Sequence, residues 1–285
     1  MSAPARRALV PCMVERGISQ RRACALLGIA RSALRYEARL PAKDAALIDR
    51  MKHHAARHPR FGYRRIHVYL KREGYTLGVD RMHRLWRQAK LQVPVRRPRR
   101  RIAGSRPRPL PTTGPNQVWA YDFVHDTCAN GQSLKCLVVT DEWTHEALAI
   151  DVQGTLRSNR VIEVLSRLVS EHGAPRHLRS DNGPEFVSRA VQKWLRQSGI
   201  ETALIEPGKP WQNGTAESLN GRFREECLNL EWFRSRAEAR VIIESWRRHY
   251  NEDRPHSSLG YRTPKQFKDE QNHPQHPSTH RAVLQ

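Results

Sequence analysis

The chain of 285 residues is poor in what membrane and secreted proteins need. No apolar run approaches the ~18 residues of a membrane span, and mean hydropathy is −0.73. The first twenty residues, MSAPARRALVPCMVERGISQ, lack the continuous apolar stretch of a secretory signal. Cysteine is scarce: Cys12, Cys24, Cys128, Cys136 and Cys227 form an odd, scattered set. Such a set excludes a disulfide framework and predicts free thiols in a reducing compartment, the cytoplasm. Acidic residues are almost missing from one half. Residues 1–110 hold 28 Lys+Arg against 6 Asp+Glu, whereas residues 111–285 hold 22 of each. The whole net charge of +22 therefore lies in the first 110 residues.

Solubility alone would not segregate charge in this way. A strongly basic segment joined to a neutral one predicts a polyanion-binding part and a part with another task. Nucleic acid fits better than an anionic membrane, because no amphipathic apolar face is evident.

In residues 13–40, Ser19 is placed to cap a helix carrying Ala23, Leu26 and Leu27. Gly28-Ile29-Ala30 reads as a turn, and Arg31-Ser32 opens a second helix with Leu34 and Tyr36. This is a helix-turn-helix pattern, studded with Arg21, Arg22, Arg31, Arg35 and Arg39. A second helical pair follows over 41–92, with Arg64 and Arg65 inside it and a Gly74–Gly78 break. His53, His54 and His58, taken with Cys12 and Cys24, match no compact zinc finger and read as solvated helix histidines. Residues 93–115, rich in Pro and Arg and including Arg99, Arg100 and Arg101, cannot bury a core and read as an extended basic linker.

Beyond the linker the periodicity changes. Residues 117–126, 134–141 and 147–152 read as three strands. Helix and strand then alternate: a helix capped by Ser158, the strand RHLRS, the helix SRAVQKWLRQSG, the strand IETALIEP and the helix NGTAESLNGRFREECLNL. One more helix, RAEARVIIESWRRHYN, is followed by a docking loop, EDRPHSSLGYRTPKQF. The fold class is α/β, a mixed sheet flanked by helices, preceded by an all-α region. The expected units are 1–40, 41–92, the linker 93–115, a core over 116–230 and a helix with docking tail over 231–285.

Three carboxylates stand out: Asp122 within the first strand, Asp181 where HLRSDNGPEF leaves its strand, and Glu217 near a helix start. Two carboxylates about 4 Å apart repel by roughly 4 kcal/mol at an effective dielectric of 20. A divalent cation relieves that cost, and two cations create a phosphoryl-transfer site. Hard oxygen ligands suit Mg²⁺. Asp126, Asp141 and Glu185 read as structural or DNA-facing. Asn182, Gly183, Trp211 and Asn213 read as shaping the site, with Trp211 a packing residue. His256 reads as a structural hydrogen-bonding group.

The motifs VWAYDF, LRSDNGPEF, KPWQNGTAESLNGRFREECL and YNEDRPHSSLGYRTP, with the amino-terminal ISQRRACALLGIARSALRY and HPRFGYRRIHVYL, occur in this order. Together they resemble the OrfB part of bacterial insertion-sequence transposases with a retroviral-integrase-like DDE core. The resemblance implies a ribonuclease-H-like fold. It implies Asp122, Asp181 and Glu217 as catalytic residues and ligands of two Mg²⁺ ions, with Mn²⁺ able to substitute. Arg224, seven positions after Glu217, stands where the family often has Lys, and Arg222 is close by; both are expected at DNA. The implied activity is binding of element ends, nicking with water and strand transfer by the freed 3′-hydroxyl. Implied partners are double-stranded DNA of the element ends and target, further copies of the chain, and an upstream-frame protein joined by frameshifting. The alternatives are a non-catalytic DNA-binding regulator of transposition and a structure-selective nuclease on the same fold.

Overall fold

The computed structural model describes residues 1–35, 39–94, 110–180, 188–204 and 210–272. The chain begins with helix α1 (Ala3–Glu15), which the sequence pattern does not announce. Ser2 caps it and Pro4 occupies its first turn, where a missing N–H costs nothing. Helix α2 (Gln20–Leu26) follows, capped by Ser19, whose hydroxyl accepts from the Arg22 N–H. The expected second helix is only a 3-10 turn, Arg31–Arg35. Its half-buried Leu34 is a single apolar anchor, too little to offset helix nucleation. Val10, Ala23 and Cys24 form a small core for this unit.

Helices α3 (Arg39–Arg57), α4 (Tyr63–Arg72) and α5 (Val79–Gln88) enclose a second core of Leu47, Met51, Phe61, Ile66, Leu70, Met82, Leu85 and Trp86. Asp44, buried on α3, accepts from Arg81 at 2.6 Å and pins α5 to it.

Strands β1 (Val118–Thr127), β2 (Ser133–Asp141) and β3 (Ala147–Gln153) form an antiparallel meander. Helix α6 (Ser158–His172) leads to β4 (His177–Ser180), which pairs parallel with β1. Helix α7 (Arg189–Gln197) leads to β5 (Glu201–Leu204), parallel to β4. The sheet order is β3-β2-β1-β4-β5, the mixed five-stranded arrangement of the ribonuclease-H-like fold. Ser158 is not the cap of α6 but its first helical residue; Arg157 holds the cap position without a side-chain hydrogen bond.

A 3-10 turn, Pro210–Asn213, enters α8 (Gly214–Phe223), which passes into a π-helical turn over Arg224–Leu228. Helix α9 (Arg236–Glu252) follows, and α10 (Pro264–Asn272) extends what the sequence suggests is loop. One sheet face buries Tyr121, Leu137 and Val139 against Val161, Leu165 and Leu168 of α6 and Val191 of α7. The other buries Val124, Val138 and Ile150 against Leu219 and Phe223 of α8 and Ile243 and Trp246 of α9. Covering both faces explains why LKCLVVTD is continuously apolar rather than alternating.

The second helical unit docks on the end of α9. Tyr69 and Arg72 donate to the Asp253 carbonyl at 3.2 and 2.6 Å. His58 stacks on both Phe61 and His249, with centroids 4.8 and 5.1 Å away. His54 is buried and stacks on Tyr69. The expectation of solvated histidines is therefore corrected for His54 and His58, since the packed partner lies far away in sequence; His53 is exposed as expected.

Candidate active site and nucleic-acid interface

The period of two along β1 turns Tyr121 and Phe123 to one face and Asp122 and Val124 to the other, the face that α8 covers. Asp122 is half-buried there. Its Oδ1 accepts from the Phe123 N–H at 2.8 Å, and its Oδ2 accepts from the Asn220 side-chain amide at 2.7 Å. Asn220 lies three residues after Glu217 on α8, so the two share a helix face. The strand and helix expected to converge therefore do, at Asn220, which is buried while Glu217 is exposed. The carbonyl oxygens of Asn213 and Asn220 are buried, and neither has a hydrogen-bond partner among the described residues.

Asp181, Asn182, Gly183 and Glu185 lie outside the described residues, as does the side chain of Trp211. Ser180, immediately before Asp181, is buried at the end of β4, next to β1 in the sheet. Among the described residues no group of three His, Cys, Asp or Glu side chains is placed to hold a metal ion.

Sequence reasoning misses Arg179. Its side chain is 1% exposed and meets Glu142, 0% exposed, at 3.2 Å. The same nitrogen donates to the Gln212 carbonyl at 2.9 Å. One guanidinium thereby ties the end of β4, the turn after β2 and the entry to α8. The available signal is a lone arginine in the otherwise short, buried strand HLRS.

Asp141 organises the turn after β2, whereas Asp126 stays within β1. Asp141 accepts from the N–H groups of Asn116, Trp143 and Thr144, and Asp126 accepts from that of Thr127. His256 is buried, and its Nε2–H donates to the Tyr250 carbonyl at 3.0 Å. Burial, then the nearby Arg254, pushes its pKa down to about 2, so the ring is a neutral structural donor. All five cysteines are free, and burial pushes Cys136 and Cys227 up to about 12.

Among the arginines expected at DNA, Arg21, Arg22 and Arg31 are exposed on the first helical unit and Arg64 on α4. Arg224 is exposed where α8 becomes π-helical, a distortion frequent at functional sites. Arg222, half-buried, lies on a different flank of the helix. Arg65 is half-buried and turns toward Glu226 at 3.8 Å. The side chain of Arg35, and all of Arg99, Arg100 and Arg101, lie outside the described residues. No helix of the described residues is long and apolar enough to cross a membrane.

The described core is a ribonuclease-H-like sheet with Asp122 on its central strand facing α8, the helix that carries Glu217. Known proteins agree. Residues 112–210 and 198–264 match family models described as integrase core domain, and residues 41–99 match one described as HTH-like domain. An insertion element IS476 protein of Xanthomonas euvesicatoria is 45% identical over 88% of this chain and 72% of its own length. An insertion element IS407 protein of Burkholderia multivorans is 44% identical over 88% of this chain and 90% of its own. The transposase InsD of insertion element IS2 in Escherichia coli is 27% identical over 79% of this chain and 78% of its own. The HTLV-2 integrase catalytic core domain in complex with magnesium aligns over 55% of this chain and 98% of its own, at 20% identity and a TM-score of 0.43. The chain belongs to the insertion-element transposases that carry an HTH-like domain ahead of an integrase core.

Proposed function

We propose that this transposase nicks the ends of its element and joins the freed 3′-hydroxyls to other DNA, using Asp122, Asp181 and Glu217 as the ligands of two Mg²⁺ ions. The observation that carries this reading is the 2.7 Å bond from Asn220 to Asp122, which draws the helical turn bearing Glu217 against the strand bearing Asp122. The donor set fits: carboxylate oxygens are hard ligands that suit Mg²⁺ and, next in preference, Mn²⁺. Bound divalent cations would supply charge neutralisation at the attacking and leaving oxygens of the phosphodiester.

The chain's own residues do the rest. Asn220 holds the Asp122 carboxylate in one orientation through Oδ2, and the Phe123 N–H fixes Oδ1. Arg179 steadies the approach to α8 and the strand end that precedes Asp181. Arg224, seven residues beyond Glu217 on the exposed surface, receives a phosphate of the bound strand. In the first reaction a water oxygen bonds to phosphorus and the 3′-oxygen leaves as a hydroxyl. In the second, that 3′-hydroxyl bonds to another phosphorus and a second 3′-oxygen leaves. The basic helical units grip the element ends, copies of the chain pair those ends, and an upstream-frame protein joined by frameshifting completes end recognition.

The test is strand transfer by purified protein on labelled duplexes of the element end. Mg²⁺ is expected to support joining and EDTA to abolish it. Asp122→Asn and Glu217→Gln should each bind DNA but join none. Joining by Glu217→Gln at the wild-type rate would refute the assignment.

A further inference from the structure

Beside α8, away from the face that meets Asp122, lies a cavity of about 440 Å³. Segments distant in sequence wall it: α4, α8, the end of α9 with the loop that follows it, and His145 from the turn between β2 and β3. Three guanidiniums converge there, Arg65 from α4, Arg222 from α8 and Arg254 from the loop. Glu226 holds Arg254 in a two-pronged pair at 2.6 Å and reaches Arg65 at 3.8 Å. Arg254 is 1% exposed, so this pair is a fixed part of the wall. Burial above all, and then repulsion from Arg254, pulls the Arg65 guanidinium down to about 10, with Glu226 opposing.

The remaining lining combines the rings of His145, Tyr250 and His256 with hydroxyls and the start of α8. Thr215 and Ser218 stand in the first turns of α8, where N–H groups and the helix dipole favour negative charge. Ser257 and Ser258 are exposed on the rim. They are presented by a tight loop in which the Tyr261 N–H donates to the His256 carbonyl at 2.7 Å. Tyr261 adopts a left-handed φ of 66°, costly for a bulky residue and so a mark of a shape that is held for a purpose. The sequence motif RPHSSLGY, which the phosphoryl-transfer chemistry does not use, is this loop.

We propose that this cavity seats a DNA phosphodiester, gripped by Arg222 and Arg65 and by the rim hydroxyls, on the strand that continues past the catalytic carboxylates. The proposal rests on the transposase reading above and extends it. Because Arg65 belongs to the HTH-like unit and Arg222 to the integrase core, one phosphate would bridge the two. DNA would then help hold the HTH-like unit in register with the catalytic helix.

The test is fluorescence anisotropy of the full chain with a labelled 30-base-pair duplex, from 50 to 200 mM NaCl. Losing one phosphate contact should lower the log–log salt slope by about 0.9, which is an affinity loss of about eight-fold at 0.1 M salt. Arg222→Gln is expected to show that change. Ser257→Glu, which places a like charge on the rim, should also weaken binding, with its unfolding transition unchanged. Arg248→Gln, an equal charge change on an exposed arginine of α9 outside the cavity, should bind as wild type does. Wild-type binding by both Arg222→Gln and Ser257→Glu would overturn the seat while leaving strand transfer, and the transposase reading, intact. An equal loss in Arg248→Gln would overturn it by showing only general charge. Thermal stabilisation by sodium phosphate at constant ionic strength, lost in Arg222→Gln, would assign a free-anion site instead. Absence of DNA binding by the wild type would overturn both readings.

Discussion

Replacing Arg179 by Met should strongly destabilise this protein. The guanidinium is buried against an equally buried Glu142 carboxylate and donates to the Gln212 carbonyl. Removing one partner of a buried pair strands the other charge and costs about 3–5 kcal/mol. For a core of this size, about 1 kcal/mol moves the melting temperature by roughly 2–4 °C, so the expected fall is on the order of 6–20 °C. Glu142→Gln should destabilise in the same direction. The double variant Arg179→Met/Glu142→Leu, which removes both charges of the pair, should recover much of the loss, giving a coupling of about 2–3 kcal/mol in the cycle. Urea unfolding at fixed pH, compared by midpoint and slope, measures all four proteins. Single variants within about 1 kcal/mol of wild type, and an additive double, would refute the claim that this pair clamps the entry to α8.

Three further outcomes follow from the charge, the histidine stack and the helix caps. If the basic helical half contacts about 6–10 phosphates, DNA affinity should drop roughly 10³–10⁵-fold between 50 and 200 mM salt, and a flat response would contradict that role. His58 is held neutral by burial, then by His249, Arg57 and His54, with Glu226 opposing, and its pKa falls to about 4. The unfolded chain therefore takes up the proton first: the docking is at full strength above pH 6.5 and weakens as pH falls from 6.5 to 4. Hydrogen exchange of α3 and α4 across that window should show it, with His58→Phe giving a shallower dependence; protection that rises on acidification would contradict it. Ser188→Ala removes the hydroxyl that accepts the Val191 N–H at the start of α7 and should cost about 1 kcal/mol in urea unfolding.

Much of the catalytic core is readable from residue order. The runs VWAYDFV, LKCLVVTD and ALAIDV have the composition of strands covered on both faces, and the α6, α7 and α9 segments carry apolar residues at helical spacing. Glu217 lies on α8, and Arg224, expected on the same helix face, opens the π-helical turn that follows it. What escapes is long-range or weakly patterned. Helix α1 contains Pro11 and buries only Val10, so no stripe announces it. Helix α10 is polar over most of its length. The second helix expected after Gly28 lacks the apolar residues to hold more than a 3-10 turn. Ser158 has the right chemistry for a cap but is one position inside the helix. The stack of His58 on His249 and the grip of Arg179 on Glu142 join residues 191 and 37 positions apart, respectively, which local spacing cannot show.

If Glu217 holds a metal ion with Asp122, DNA joining requires it. The most direct measurement is PCR across joined element ends, in cells carrying the reading frame with its upstream frame and flanking DNA, for wild type and Glu217→Gln. A joined-end circle is expected with wild type and none with the variant. Circles in equal yield from both would contradict it.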